Sequence, residues 1–208
     1  MSSNARTGTK GVPRAEREEQ ILDAAQRAFA RVGYAAASVP EIARAAGITK
    51  PLVYSYFGSK EGLYAACADA AGRVVVADVE RSAALGAVGV ERGLLTVAGL
   101  AEALDGRPHL WLVLFDRTVP PGSPAAEAAR RHTDRLGALA VEGVGEMLRL
   151  AGDTDPADLE VMTRIWVGML DTVMRWWAEH PDEPGPAVLA RAERVAGALF
   201  TGVGGSTP

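Results

Sequence analysis

Between Lys50 and Tyr56 the chain sets out an ammonium group and three hydroxyls, on Lys50, Tyr54, Ser55 and Tyr56. Groups of this kind on the outer side of a helix can bond phosphate oxygens and fix a protein's register on a duplex. Val53 and Phe57, four residues apart, supply the inner edge that such a helix needs. A helix placed only for packing has little use for two tyrosines and a lysine on its outer side. The same local pattern also fits an ordinary αα-hairpin with aromatic packing.

The elements that must hold this helix are legible around it. Ser38 suits an N-cap, and Glu41 follows at the spacing of a capping box. Ile42, Ala43 and Ala46 make an apolar stripe that ends at Gly47, where a left-handed residue closes a helix. Thr49 can cap the next helix, with Pro51 in its first turn, where a missing N–H breaks no bond. That helix runs from Lys50 to about Phe57 and stops before Gly58, and Ser59 then caps a third. Two short helices across a tight turn match the helix-turn-helix that reads DNA.

Ile42-Ala43-x2-Ala46-Gly47-Ile48, Tyr54-x-Tyr56-Phe57 and Ser59-Lys60-Glu61-x-Leu63 together resemble the TetR family of bacterial regulators. The resemblance covers about 45 residues. It implies a DNA-binding head and a larger helical body that binds an effector and dimerises. By position in the motif it implies DNA contacts at Ser38, Thr49, Lys50, Pro51, Leu52, Tyr54, Ser55, Tyr56 and Lys60. Ser38, Thr49 and Tyr56 would bond phosphates, and Lys60 would act as a point charge. Lys50, Pro51, Leu52 and Tyr54 would reach base edges or a thymine methyl. Pro51 departs from the Gly or Ala common at that place, and Pro40 removes a polar contact, so the operator sequence stays open.

Charge is divided along the chain. Residues 1–64 hold nine Lys/Arg against six Asp/Glu, and residues 65–208 hold thirteen against twenty. A duplex is therefore attracted to one end of a molecule whose net charge is −4. Residues 1–13 read as a disordered basic arm, either passive or trailing along phosphates. Residues 14–64 read as the DNA-binding head and 65–208 as the body, with one helix, 59–84, joining them. With Ala and Leu outnumbering β-branched residues, the expected fold class is all-α.

A first long helix opens at Pro13-Arg14 and closes at Gly33, with Phe29 and Val32 expected against Ile42 and Phe57. In the joining helix Leu63, Ala66, Cys67, Ala70 and Val74 are expected inward. Glu91–Leu104, Pro108–Arg117, Ala125–Leu150, a helix opened by Asp155-Pro156, and Ala187–Val203 make the body. Its large soft side chains, Trp111, Phe115, Met147, Trp166, Met169 and Met174, line an apolar pocket as well as they fill a core. With His109 and His132 they are the candidate ligand residues, Arg117 being a further polar candidate; the expected effector is a small apolar or aromatic molecule. Leu170, Val173, Trp177, Leu189, Ala192, Val195, Ala196, Leu199 and Phe200 spread over wide arcs of the last two helices, which suits pairing with a second copy. The expected partners are thus palindromic double-stranded DNA, a small-molecule effector and a homodimeric twin.

Other chemistry has no positive support. His109, His132 and His180 stand apart, with no ligand-spaced Cys or carboxylate, so no metal site or cofactor is expected. No nucleophile elbow, phosphate loop or dinucleotide fingerprint occurs, so no enzyme is expected. Cys67 is the only cysteine, and no signal peptide or membrane span is evident; a cytoplasmic protein is expected. The competing reading is a helical small-molecule-binding or enzymatic bundle with a purely structural head. The expected regulator is a repressor released by its effector, although one answering only to a protein partner fits the same sequence.

Overall fold

The computed structural model of the protein describes residues 13–201, with side chains through Ala198. The basic arm, and the side chains of Leu199, Phe200 and Val203, lie outside the described residues. Nine helices and no strand occur among the described residues: α1 (Arg14–Ala36), α2 (Val39–Ala45), α3 (Lys50–Phe57), α4 (Lys60–Ala83), α5 (Gly89–Ala103), α6 (His109–Leu114), α7 (Pro124–Leu150), α8 (Pro156–Glu179) and α9 (Gly185–Thr201).

Two apolar clusters organise them. Ile21, Ala25 and Phe29 of α1 pack with Ile42 of α2, Val53 of α3, and Leu63, Tyr64 and Cys67 of α4. Val113 of α6 and Ala125 and Ala128 of α7 close the same cluster, so body helices roof the head's core. Within it the rings of Phe29, Tyr34 and Tyr64 meet at centroid distances of 5.0 and 5.3 Å around Tyr64. The second cluster gathers Ala71 and Val75 of α4, Leu100 of α5 and Leu104 just after it, Trp111 of α6, Met174 and Trp177 of α8, and Val188 of α9. α4 serves both clusters without a break, over 24 residues or about 36 Å at 1.5 Å per residue.

The inward face of α4 differs from the expected stripe. Tyr64, Ala68, Ala71, Gly72 and Val75 are buried beside Leu63 and Cys67, whereas Ala66, Ala70 and Val74 are only half-buried. The helix meets α7 so closely that small residues are required at the contact. A Cβ on Gly72 would lie 2.1 Å from the ring of His132. Val32 is 43% exposed and does not join the head's core, because Gly33 breaks α1 there at φ 75°, ψ 165° and turns the chain.

Neither expected side-chain cap forms at α2 or α3. The Glu41 N–H goes to the Ser38 carbonyl and the Leu52 N–H to the Thr49 carbonyl. Pro40 and Pro51 remove a further donor from each first turn. The hydroxyls of Ser38 and Thr49 thus have no cap bond to make. Ser59 does cap α4, accepting from the Gly62 N–H at 3.0 Å.

Candidate functional site

α3 is anchored from behind and open in front. Val53 is fully buried in the head's core, and Gly58, at φ 73°, ends the helix and redirects the chain into α4. Thr49, Lys50, Pro51 and Ser55 are exposed; Ser38, Leu52, Tyr54, Tyr56 and Lys60 are half-buried. The Lys50 ammonium lies 5.5 Å from the centre of the Tyr54 ring, and the Arg14 guanidinium 5.0 Å from that of Tyr56. Arg14, at the start of α1, thus joins the cationic surface beside α3; nothing in its own sequence neighbourhood marks it for that place. The Ser55 hydroxyl donates to the Leu52 carbonyl at 2.7 Å and is partly engaged within its own helix.

Lys60 has structural work as well. Its ammonium donates to the Ala35 carbonyl at 3.3 Å and lies 4.6 Å from the centre of the Tyr34 ring. Burial holds its pKa below the ordinary lysine value. The residue therefore pins the start of α4 to the end of α1, beyond its break at Gly33.

A cavity of about 800 Å³ opens in the body between α5, α6, α7 and α8. Trp111, Phe115, Met147 and Trp166, four of the candidate ligand residues, line it. His109, His132 and Met174 do not. Met174 is fully buried in the second core. The His132 ring is taken up by Asp69, 3.0 Å from its Nε2, and by the backbone of Gly72. His109 is half-buried away from the cavity, its Nε2 without a partner, and burial, then the nearby Arg27 charge, lowers its pKa. Met169 lines a neighbouring groove instead, of about 570 Å³, between α5, α8 and α9.

Of the polar part of the cavity wall, only Arg117 was a candidate from the sequence. Arg92, Arg117, Arg130, Arg164 and Arg175 all contribute to it, against two aspartates, Asp116 and Asp171. Each arginine taken singly looks like an ordinary surface residue of a helix or loop; only the packing of α5, α7 and α8 converges them. Arg92, Arg130, Arg164 and Arg175 have carboxylate partners, at 3.5, 2.8, 2.7 and 2.8 Å. Arg117 has none among the described residues. The Thr163 hydroxyl is buried in the same wall without a hydrogen-bond partner.

One stretch of this wall also touches the head. The break at Gly33 leaves the amides of Tyr34 and Ala35 outside the helix. The Tyr34 N–H donates to Asp116 at 2.6 Å and the Ala35 N–H to the Thr118 hydroxyl at 3.1 Å. Asp116 in turn accepts from the Thr118 N–H and hydroxyl, both at 2.7 Å. Asp116, Arg117 and Val119 belong to the cavity lining, so the loop after α6 faces the cavity on one side and closes α1 on the other.

The expected pairing residues separate in the same way. Val195 is 51% exposed, and Val161 and Ile165 are open on the same side of α8. Leu170, Val173, Leu189 and Ala196 are half-buried, Leu170 and Val173 against the second core. Ala192 is buried in the monomer, and so is Trp177, whose indole N–H donates to the Glu183 carbonyl at 2.8 Å. Trp177 is therefore an intrachain core residue and cannot present its ring to a partner without leaving that bond.

The family profile "Bacterial regulatory proteins, tetR family" matches residues 21–67. The chain is 49% identical over 55 residues to the transcriptional activator FasR of Mycolicibacterium smegmatis, covering 26% of this chain and 25% of FasR. It is 34% identical over 131 residues to the transcriptional repressor Rv1474c of Mycobacterium tuberculosis, covering 59% and 65% of the two chains. The chain thus spans a quarter of the first relative's length and just under two thirds of the second's. With the transcriptional regulator Rv1255c of Mycobacterium tuberculosis it shares 31% identity over 163 residues, 75% of this chain and 73% of that one. The chain belongs to the TetR family. Its fold follows suit: a TetR-like regulator from Rhodococcus superposes with a TM-score of 0.69 at 26% identity, covering 94% and 100% of the two chains. AibR, solved with isovaleryl coenzyme A and operator DNA, superposes with a TM-score of 0.69 at 22% identity, covering 89% and 98%.

TetR-family proteins are bacterial transcriptional regulators, and the open face of α3 described above lies within the residues that the family profile covers. Among the described residues no helix is long and apolar enough to cross a membrane, and no three His, Cys, Asp or Glu side chains converge as metal ligands would.

Proposed function

We propose that this chain is a homodimeric operator-binding repressor, released from DNA by an amphipathic anionic effector. The reading is carried by one observation: α3 is fixed from behind by buried Val53 while Thr49, Lys50, Pro51 and Ser55 stand open in front. In it, residues 14–64 form the DNA-binding head and residues 65–208 the ligand-binding and dimerisation body. The uncapped hydroxyls of Ser38 and Thr49, with Tyr56, bond phosphates, and Lys60 adds a point charge. Lys50, Pro51, Leu52 and Tyr54 meet base edges and a thymine methyl. Two copies of α3 then read half-sites about 34 Å apart, or a multiple of it.

Pairing uses the exposed side of α8 and α9 around Val161, Ile165 and Val195. The effector occupies the cavity between α5, α6, α7 and α8. Apolar surface from Trp111, Phe115 and Met147 takes a hydrocarbon part, and Arg117, which has no carboxylate partner among the described residues, takes a carboxylate or phosphate. An anion-collecting wall is unexpected on a body of net negative charge, and it narrows the effector from any apolar molecule to an anionic one. Structural neighbours support that class: AibR was solved with isovaleryl coenzyme A, and a Bacillus subtilis FadR with stearoyl-CoA.

Release follows from linkage. A ligand that binds better to a form with the two α3 helices at another spacing lowers DNA affinity by the same factor. The loop of Asp116, Arg117 and Thr118 is the contact through which cavity occupancy reaches the head.

The test is a gel shift on DNA flanking the chain's own gene, across a salt series, with and without acyl-CoA thioesters. The expected result is a specific complex whose log K falls linearly with log[salt] and which acyl-CoA dissolves. Absence of any salt-dependent complex would sink the repressor; a complex untouched by acyl-CoA would sink the effector class alone.

A further inference from the structure

The ligand cavity and the groove beside it are separated by very little protein. Thr96, Arg164, Trp166, Gly168 and Leu170 line both spaces, and Trp166 is the only large ring among them. Its indole reaches from α8 across to α5 and rests on the bare backbone of Gly93. A Cβ at Gly93 would fall 1.9 Å from the Cζ2 atom of that ring, so the position must be glycine for the indole to lie there.

The other tryptophan of the cavity is fastened differently. Trp111 is buried, and its indole N–H donates to Asp171 at 2.8 Å. Trp166 is half-buried, and its N–H has no acceptor among the described residues. It is held by shape alone, between two apolar spaces of about 800 and 570 Å³. The groove on its far side is lined by Leu94, Val97, Met169 and Val173, a surface able to receive hydrocarbon.

We infer that Trp166 is the end wall of the effector cavity and sets the longest hydrocarbon tail the protein accepts, with Gly93 as its seat. The inference rests on the reading of that cavity as the effector site. A tail entering from the end of the cavity that holds Arg117, Arg130 and Arg175 gains contact carbon by carbon until it reaches the indole. Beyond it lies the groove under the pairing face, so the ring also keeps a tail from intruding between α8 and α9.

Chain-length dependence of binding tests this. Each methylene newly removed from water strengthens binding about fourfold. Straight-chain acyl-CoA thioesters of increasing length, titrated by calorimetry against the full-length protein, should therefore bind more tightly step by step and then level off. In Trp166→Ala the two spaces join, and the levelling-off should move to longer chains by several carbons. Trp166→Phe should level off in between. Because truncating the indole could disturb folding or pairing, Gly93→Ala provides an independent variant: its Cβ occupies the ring's seat, and the break point should shift there too. Helicity and sedimentation of each variant show which are folded and paired.

Wild type and folded variants that level off at the same chain length would overturn the role of Trp166 and leave the effector cavity standing. Failure of every thioester to bind any of the four proteins would overturn the effector reading, and this inference with it. A break point that moves with the indole establishes both.

Discussion

A single side chain at the DNA-facing end and one in the body carry sharp consequences. Lys50 is exposed and forms no ion pair among the described residues, so its ammonium is free for a phosphate or a base edge. Lys50→Ala should lower affinity for the operator and, if the ammonium meets a phosphate, reduce the slope of log K against log[salt] by about 0.9. An unchanged slope with altered sequence preference would place Lys50 on a base instead. Lys60 makes a poorer probe, because its loss also frees the Ala35 carbonyl. In the body, burial keeps His109 below its ordinary pKa of 6.5. The folded state resists that proton while the unfolded chain accepts it, so stability is present above about pH 6.5 and is lost as pH falls below it. Urea titrations between pH 7 and pH 5 should show wild type losing more stability than His109→Gln; parallel curves would remove His109 from that account. The basic, hydroxyl-bearing helix was legible because its residues are contiguous. The arginine wall, Arg117 apart, was not, because its members come from α5, α7, α8 and a loop, and meet only after folding.

Helices are joined here by close approach as much as by hydrophobic area. Gly72 lets α4 lie against His132 of α7, and Asp69 holds that ring in place from one turn earlier. Gly72→Ala should cost about 1–3 kcal/mol through overpacking, seen as a fall in Tm of several degrees. In a His132→Ala background the same substitution should cost much less, since the obstructing ring is gone. Equal costs in both backgrounds would mean that the clash relaxes by another route. Every helix and most boundaries could be read from periodicity, Pro and Gly; α4 was the exception in detail. Leu63 and Cys67 point inward as expected, but Ala66, Ala70 and Val74 give way to Ala68, Ala71 and Val75, because Ala-rich stretches offer several stripes of similar hydrophobicity and the choice falls to the partners, α5 and α7. Side-chain caps at Ser38 and Thr49 were also read from pattern and did not form, since a carbonyl of the same residue took the donor.

At the level of the whole molecule, the proposed pairing predicts that a charge at Val195, which is 51% exposed, opposes its like across the two-fold axis. Val195→Glu should shift sedimentation toward monomer and weaken operator binding while circular dichroism stays helical; a dimer of unchanged strength would move the interface elsewhere. Trp177 was a misleading guide to that interface, because aromatic residues mark cores and interfaces equally and its Glu183 partner lies across a proline-broken turn. The loop after α6 has a consequence of its own. The amides of Tyr34 and Ala35 depend on Asp116 and Thr118 for protection, and Asp116, like the Arg117 and Val119 that flank Thr118, sits in the wall of the cavity. Deuterium uptake at these two positions should therefore change when acyl-CoA is added, while the amide of Ala25, deep in α1, keeps its rate. Two peptide protons at the hinge of the head would then report, from outside, whether the chamber below them is filled.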